Sequence, residues 1–243
     1  MSAGPPEVTT ASPRLRLEDL AGLRPSARHP GRNRTKGEIA VYDLAPGRLA
    51  VKDYSARPWW IKNTLGRWLI RREASNYAAA GALAGLPRFA GRLGPHTLAV
   101  EWVAGRPLAA FSDGSVPAAR FDALLAIVRA LHDRGIAHAD LNHRDVLLGD
   151  DGSVHVVDLA SAWRLGRRPG PLRRRVFERL RAADLFAVAR LRARFAGEEL
   201  AAVLATADPA ALAWHRRMRR IKWSWDRLRG AERLPPVHDH WRR

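Results

Sequence analysis

The sequence predicts an α+β fold of two lobes, a small β-rich one followed by a larger helical one. Three observations carry this. Residues 37–103 hold two pairs of strand-like runs separated by one helical stretch, apolar residues beyond Pro117 recur at helical spacing, and no internal repeat is present. A chain of 243 residues with 47% apolar content is long enough for two lobes around a shared cleft.

The elements follow in order. Residues 1–30, rich in Pro, Ser and Gly, read as a poorly ordered tail. The small lobe spans 31–104 and the helical lobe, with the loop that carries the chemistry, spans 105–243. "GEIAVYDLAPGRLAVKDY", residues 37–54, reads as two strands around Ala45-Pro46-Gly47. "TLGRWLIRREASNYAAAGALAG" reads as a helix ending in Gly85, with Leu69, Glu73, Tyr77 and Ala80 on one face. Residues 88–103 form a second strand pair around Gly94-Pro95, and Gly105 with Pro107 marks the lobe boundary. Phe121, Leu124, Leu125, Val128 and Leu131 then define an amphipathic helix that starts near Pro117 and stops before Gly135. A hairpin turning at Asp150-Asp151-Gly152 follows, then a helix from about Leu172 to Phe195 and shorter ones from Glu198 and Pro209 onward.

Composition excludes several classes. With no cysteine there are neither disulfides nor thiolate metal sites. There is no run of about 18 apolar residues and no signal-like N-terminus, which predicts a cytoplasmic protein without a spanning helix. The net charge of +18 is concentrated beyond Trp163, where 21 Lys and Arg stand against 8 Asp and Glu. Such an excess fits an anionic partner, whether nucleic acid, an acidic membrane face or a phosphorylated glycolipid, and equally fits an arginine-rich proteome with no partner at all.

Phosphoryl transfer requires a cation for the nucleotide phosphates, a group to hold that cation, a metal ligand, and a carboxylate to orient the attacking hydroxyl. Lys52 lies on a predicted strand in Ala50-Val51-Lys52, in a chain with only four lysines. Glu73, 21 residues on, sits on the apolar stripe of a helix where it can pair with Lys52. Asp140 closes His138-Ala139-Asp140 after a helix, the place of a carboxylate that takes or orients a hydroxyl proton. Asp158, 18 residues later at a strand end, suits Mg²⁺ on nucleotide phosphates. The hairpin between them would bring both carboxylates to one edge of the cleft.

"HADLNHRDVLL" and "VHVVDLASAW" resemble the lipopolysaccharide kinases, the Kdo and heptose kinase group, and through them the protein-kinase-like fold, over roughly residues 35–195. The resemblance implies ATP and Mg²⁺ as cofactors and transfer of the γ-phosphoryl group to a sugar hydroxyl of the lipopolysaccharide core. It implies the nucleotide-side roles of Lys52 and Glu73, Asp140 as the catalytic residue and Asp158 as a metal ligand. It also makes "LAVEWVAGRPL" the hinge, where adenine would pair with the backbone at Glu101 and Val103. The partner it implies is an anionic glycolipid, reached by peripheral contact at the inner face of the inner membrane; a nucleic-acid partner is not expected.

Phe177, Leu180, Asp184, Val188, Leu191 and Phe195 recur at spacings 3, 4, 4, 3 and 4, which puts Asp184 inside a buried stripe. A buried carboxylate needs donors. In kinase-like folds an aspartate here accepts backbone N–H bonds from the catalytic loop, so Asp184 is expected to be structural, as is a packed His138. Three departures from the pattern stand out: Asp145 where kinases usually carry Asn, Asp158-Leu159-Ala160 without a closing Gly, and only Gly31 and Gly37 to cradle phosphates. Asp145 can still bind Mg²⁺, at the cost of added negative charge.

With Asp184 only 26 positions after Asp158, a long activation segment has little room, which favours a small or lipid-linked acceptor. A small atypical RIO-like Ser/Thr kinase and a catalytically weak pseudokinase scaffold are the alternatives. Two basic aromatic stretches, "RPWWIKNTLGRWLIRR" and "WHRRMRRIKWSWDRLR", could touch lipid headgroups or pack on their own lobes. His238, Asp239 and His240 lack a third convincing ligand for a metal.

Overall fold

The computed structural model describes residues 17–20, 22–31, 36–45 and 47–199. The small lobe is an antiparallel sheet of five strands in the order β1-β2-β3-β5-β4, built from β1 (Ala27–His29), β2 (Glu38–Leu44), β3 (Gly47–Asp53), β4 (Phe89–Arg92) and β5 (Thr97–Glu101). Strand alternation gives the sheet two faces. Leu20, Val51 and Ala99 pack with Tyr42 and Leu44 on one of them. Register places Lys52 between Ile39 and Leu98, and Ala50 between Val41 and Val100, on the other.

That second face is covered by a continuous helical segment: α1 (Trp59–Ile61), one π turn (Lys62–Gly66) and α2 (Arg67–Ala80). The last residue of the π turn packs closely. Gly66 presses its bare backbone on Tyr54, and a Cβ there would stand 3.0 Å from the Tyr54 Cβ. The extra residue brings Ile61 into line with the buried Ile70, Glu73 and Tyr77.

The helical lobe contains α3 (Ala118–Asp133) and α4 (Pro171–Phe195), with Pro in the first turn of α4. Between them run β7 (Ile136–Ala137), β8 (Val146–Leu148), β9 (Val154–Val156) and β10 (Trp163–Arg164), and β6 (Arg106–Pro107) precedes α3. β6, β8 and β9 form one small sheet and β7 with β10 another. The main core joins both lobes, since Tyr77, Leu83 and Leu86 share a cluster with Leu124, Val156 and Val188. α2 is therefore anchored at both ends.

Two expectations need correction. The tail read over residues 1–30 includes β1, which pairs with β2 from Ala27–Val41 to His29–Ile39 and is also held by the Arg28–Glu38 ion pair at 2.6 Å; three residues are too few to show an alternating pattern. The helix expected to end at Gly85 ends at Gly81, whose φ of +63° and ψ of −155° only a glycine adopts readily and whose N–H donates to Tyr77 O at 3.0 Å. Gly85 instead gives its carbonyl to Val156 N–H at 2.8 Å, and a side chain there would collide with Ile127. The helices expected from Glu198 and Pro209, the second basic aromatic stretch and the His238–His240 group lie outside the described residues, apart from Glu198 and Glu199, which are not helical.

Candidate active site

Lys52 and Glu73 meet because β3 and α2 share a face. Lys52 Nζ donates to Glu73 Oε2 at 2.8 Å and to Asp158 Oδ1 at 3.1 Å. Glu73 is 3% exposed. Burial alone would lower the lysine's proton affinity, but the charges of Asp158 and Glu73 outweigh it and hold Lys52 well above its ordinary value. Burial likewise pushes Asp158 up, and Lys52 overturns that, holding its carboxyl below the usual range. Glu73, the more deeply buried carboxylate, is left somewhat raised despite Lys52. The site is thus a buried cation between two carboxylates.

Asp158 sits in the left-handed region at φ +64°, ψ +75°, which costs a non-glycine residue about 1–2 kcal/mol. Three contacts hold it there. Its N–H donates to the Tyr77 hydroxyl at 3.2 Å, and its Oδ1 accepts from Ala160 N–H at 3.3 Å as well as from Lys52. The 3₁₀ turn that follows, Leu159–Ser161, is tied to α2. Asn76 Nδ2 donates to Leu159 O at 2.7 Å and Ala162 O at 3.1 Å, and Arg72 donates to Ser161 O at 3.0 Å and Ala162 O at 3.1 Å.

The loop that carries Asp140 is fixed from below. Asp184, 2% exposed in the middle of α4, accepts His138 N–H at 2.7 Å and Ala139 N–H at 2.9 Å, and His132 Nε2 lies 3.0 Å away. Those donors offset the cost of burying its charge. Ala139, at φ +66°, is the second non-glycine residue in the left-handed region, and it immediately precedes Asp140. His138 is buried, with Nε2 3.3 Å from Val157 O. Asn142 donates to Asp140 O at 3.1 Å and to the Asp145 carboxylate, while Asp145 O accepts Val157 N–H at 2.8 Å. The strand pair β8 and β9 thereby places Asp145 beside the segment that leads into Asp158.

A small β lobe with its strand lysine paired to a helix glutamate, joined to a helical lobe whose Asp158 meets that same lysine, settles the architecture. The fold is protein-kinase-like. No protein-family model matches the chain, and no curated protein matches it. Among solved structures it is similar to the Rio2 kinase–ADP/Mg²⁺–phosphoaspartate complex from Chaetomium thermophilum, at 19% identity and a TM-score of 0.49. That alignment covers 70% of this chain, and the chain spans 56% of that structure.

Mg²⁺ fits the residues present. Among the described residues no group of three or more His, Asp or Glu could cage a metal ion, yet Mg²⁺ with a nucleotide needs only one or two carboxylates and the phosphate oxygens. Asp158 is held ionised, and among the described residues its hydrogen bonds fall on Oδ1, with Oδ2 the atom that could meet a cation. Asp145 is the second candidate.

The hinge residues enter through the main chain. Glu101 ends β5, its N–H donates to Arg88 O at 2.8 Å and its exposed side chain lies 3.5 Å from Arg88 Nε. Val103 follows in the connection to β6 and is half-buried. Of the two glycines expected to cradle phosphates, Gly37 is buried against Tyr54, and residues 32–35, which follow Gly31, lie outside the described residues.

Sequence reasoning missed two groups. Val41, Ala50 and Val100 form an apolar row two residues along from Lys52 on the cleft face, readable only once the register is known. Arg72 and Asn76 flank Glu73 at one and three residues. A buried Asn on a helix stripe is the signal that could have found Asn76.

Proposed function

We infer that the protein is an ATP- and Mg²⁺-dependent kinase that transfers the γ-phosphoryl group to a hydroxyl of a small or lipid-linked acceptor, a sugar hydroxyl of the lipopolysaccharide core (Kdo or heptose). The observation that carries this reading is Lys52 Nζ held between Glu73 and Asp158. A lysine so placed is protonated and fixed in position for phosphate oxygens.

Each residue then has a task. Lys52 orients the nucleotide phosphates, and Glu73 keeps the lysine from swinging away. Ala50 and Val100, both half-buried, offer adenine an apolar wall backed by the buried Val41, with the main chain at Glu101 and Val103 for its polar edge. Asp158 and Asp145 would hold Mg²⁺, which would supply positive charge to offset that of the phosphates. Asp140 accepts the acceptor's hydroxyl proton as the oxygen bonds to the γ-phosphorus, and the bridging oxygen departs with ADP.

The acceptor class is supported by how little chain separates the metal loop from α4. Only residues 162–170 lie between the 3₁₀ turn and α4, and β10 in that stretch is paired to β7. A long segment that would hold an extended peptide has no room there. The test is incubation with labelled ATP, Mg²⁺ and extracted lipopolysaccharide or its core precursors, beside a protein fraction. Label in glycolipid supports the reading; label in protein instead replaces it with a RIO-like Ser/Thr kinase, and nucleotide binding without any transfer replaces it with a scaffold.

A further inference from the structure

The helical segment that carries Glu73 on its inner side has an outer face of unusual composition. Trp59, Trp60 and Trp68 are 74%, 64% and 53% exposed, although an indole is among the side chains that gain most from burial. The π turn sets this arrangement. Ile61, Gly66, Ile70, Glu73 and Tyr77 form the buried stripe, and Trp60, Thr64, Trp68 and Arg71 recur at spacings 4, 4 and 3 on the exposed one. From Tyr54 to Arg72 the chain holds five cations, Arg57, Lys62, Arg67, Arg71 and Arg72, and no carboxylate.

A second acid-free stretch lies beside it. Leu159 to Phe177 contains six arginines and no carboxylate, and Leu172 at the start of α4 is 76% exposed. Hydrogen bonds stitch the two stretches together. The Arg72 guanidinium stands 4.9 Å over the Trp68 ring and donates to the carbonyls of Ser161 and Ala162. Arg164 Nη1 donates to Ser75 O on α2 at 3.3 Å, and Arg173 donates to Arg164 O and Leu165 O, each at 2.7 Å. One cationic surface with apolar tips therefore runs from the outer face of α2, past the metal loop, to the first turn of α4.

We propose that this surface docks the protein on an anionic phospholipid bilayer. The indoles of Trp59, Trp60 and Trp68 and the Leu172 side chain enter the interfacial layer, where amphipathic rings are favoured, and the surrounding arginines meet lipid phosphates. Stacking on single-stranded nucleic acid would want rings lining a groove. Here they project from the outer face of a helix, and an exposed leucine, on which a base cannot stack, shares the surface. Docking does not rest on the phosphoryl-transfer reading, since the surface contains none of Lys52, Glu73, Asp140 and Asp158.

The test is co-sedimentation of the full chain with phosphatidylcholine vesicles, with and without phosphatidylglycerol. A Trp59→Ser/Trp60→Ser variant and an Arg167→Glu/Arg168→Glu variant, all at exposed positions, are measured beside it. The wild type should bind only the anionic vesicles and be released as salt is raised. Its tryptophan emission should be quenched by brominated lipid, and each variant should bind about tenfold more weakly or worse. Asp140→Asn should bind as the wild type does, which separates docking from catalysis. Equal binding by both variants, failure of the wild type to bind anionic vesicles, or preference for single-stranded poly(dT) over them would overturn the proposal.

Discussion

Lys52 Nζ lies 3.1 Å from Asp158 Oδ1 while it also holds Glu73 at 2.8 Å, so one cation joins a strand of the small lobe, its helix and the Asp158 turn of the other lobe. The two lobes are coupled at the place where a nucleotide's phosphates would lie. Removing that cation leaves Glu73 buried and unpaired.

Lys52→Met should therefore lower both stability and affinity for ATP. Breaking a buried pair by deleting one partner costs about 3–5 kcal/mol, the lower end being expected here because Asp158 is partly exposed. Urea denaturation measures the first effect, and loss of the thermal shift with ATP the second.

Asp184→Asn keeps the shape and replaces one acceptor oxygen by a donor that faces the N–H groups of His138 and Ala139. Stability should fall by about 1–3 kcal/mol. Turnover should fall further than affinity for ATP, because the backbone strained at Ala139 places Asp140. A kcat loss with a near-constant KM for ATP checks this, and a change confined to KM speaks against it.

Asn76→Leu fits the stripe but leaves the carbonyls of Leu159 and Ala162 without its two donors. The expected result is a loss of about 1–3 kcal/mol and a raised Mg²⁺ requirement, since the turn behind Asp158 is loosened. Titrating activity with Mg²⁺ at saturating ATP measures it.

The ionised pair sets a pH window. Asp158 is depressed in the folded chain, so its contribution to stability is complete above its unfolded pKa of about 3.9 and is lost as pH falls through the folded value. Lys52 is raised, so its contribution holds below about 10.4 and is lost above that as pH climbs through the folded value. The stability difference between the wild type and Asp158→Asn should stay constant from pH 5 to 9 and close below about pH 4. A difference that already shrinks between pH 7 and 5 would show that the carboxylate is not held by Lys52.

The sheet and the chemistry-bearing residues could be read in the sequence because each depends on local pattern. Val, Ile and Tyr at strand density gave β2 and β3, and Asp184 stood out as a charge inside the apolar stripe of α4. What depends on distant packing could not be read. Gly66 in the π turn packs on Tyr54, β1 is held by pairing to β2, and Arg72 and Asn76 act on a loop 83–90 residues away. The two left-handed residues, Ala139 and Asp158, carry no sequence signal of their strain, because neither is a glycine.

The measurement that bears most directly on the central claim is phosphoryl transfer from labelled ATP by the wild type and by Asp140→Asn, each with ATP binding followed in parallel. The account predicts Mg²⁺-dependent transfer by the wild type, a fall of about 10²–10⁴-fold in the variant, and nearly equal ATP affinity in both. Equal transfer by the two proteins, or no transfer by the wild type to any hydroxyl acceptor despite bound ATP, would contradict it.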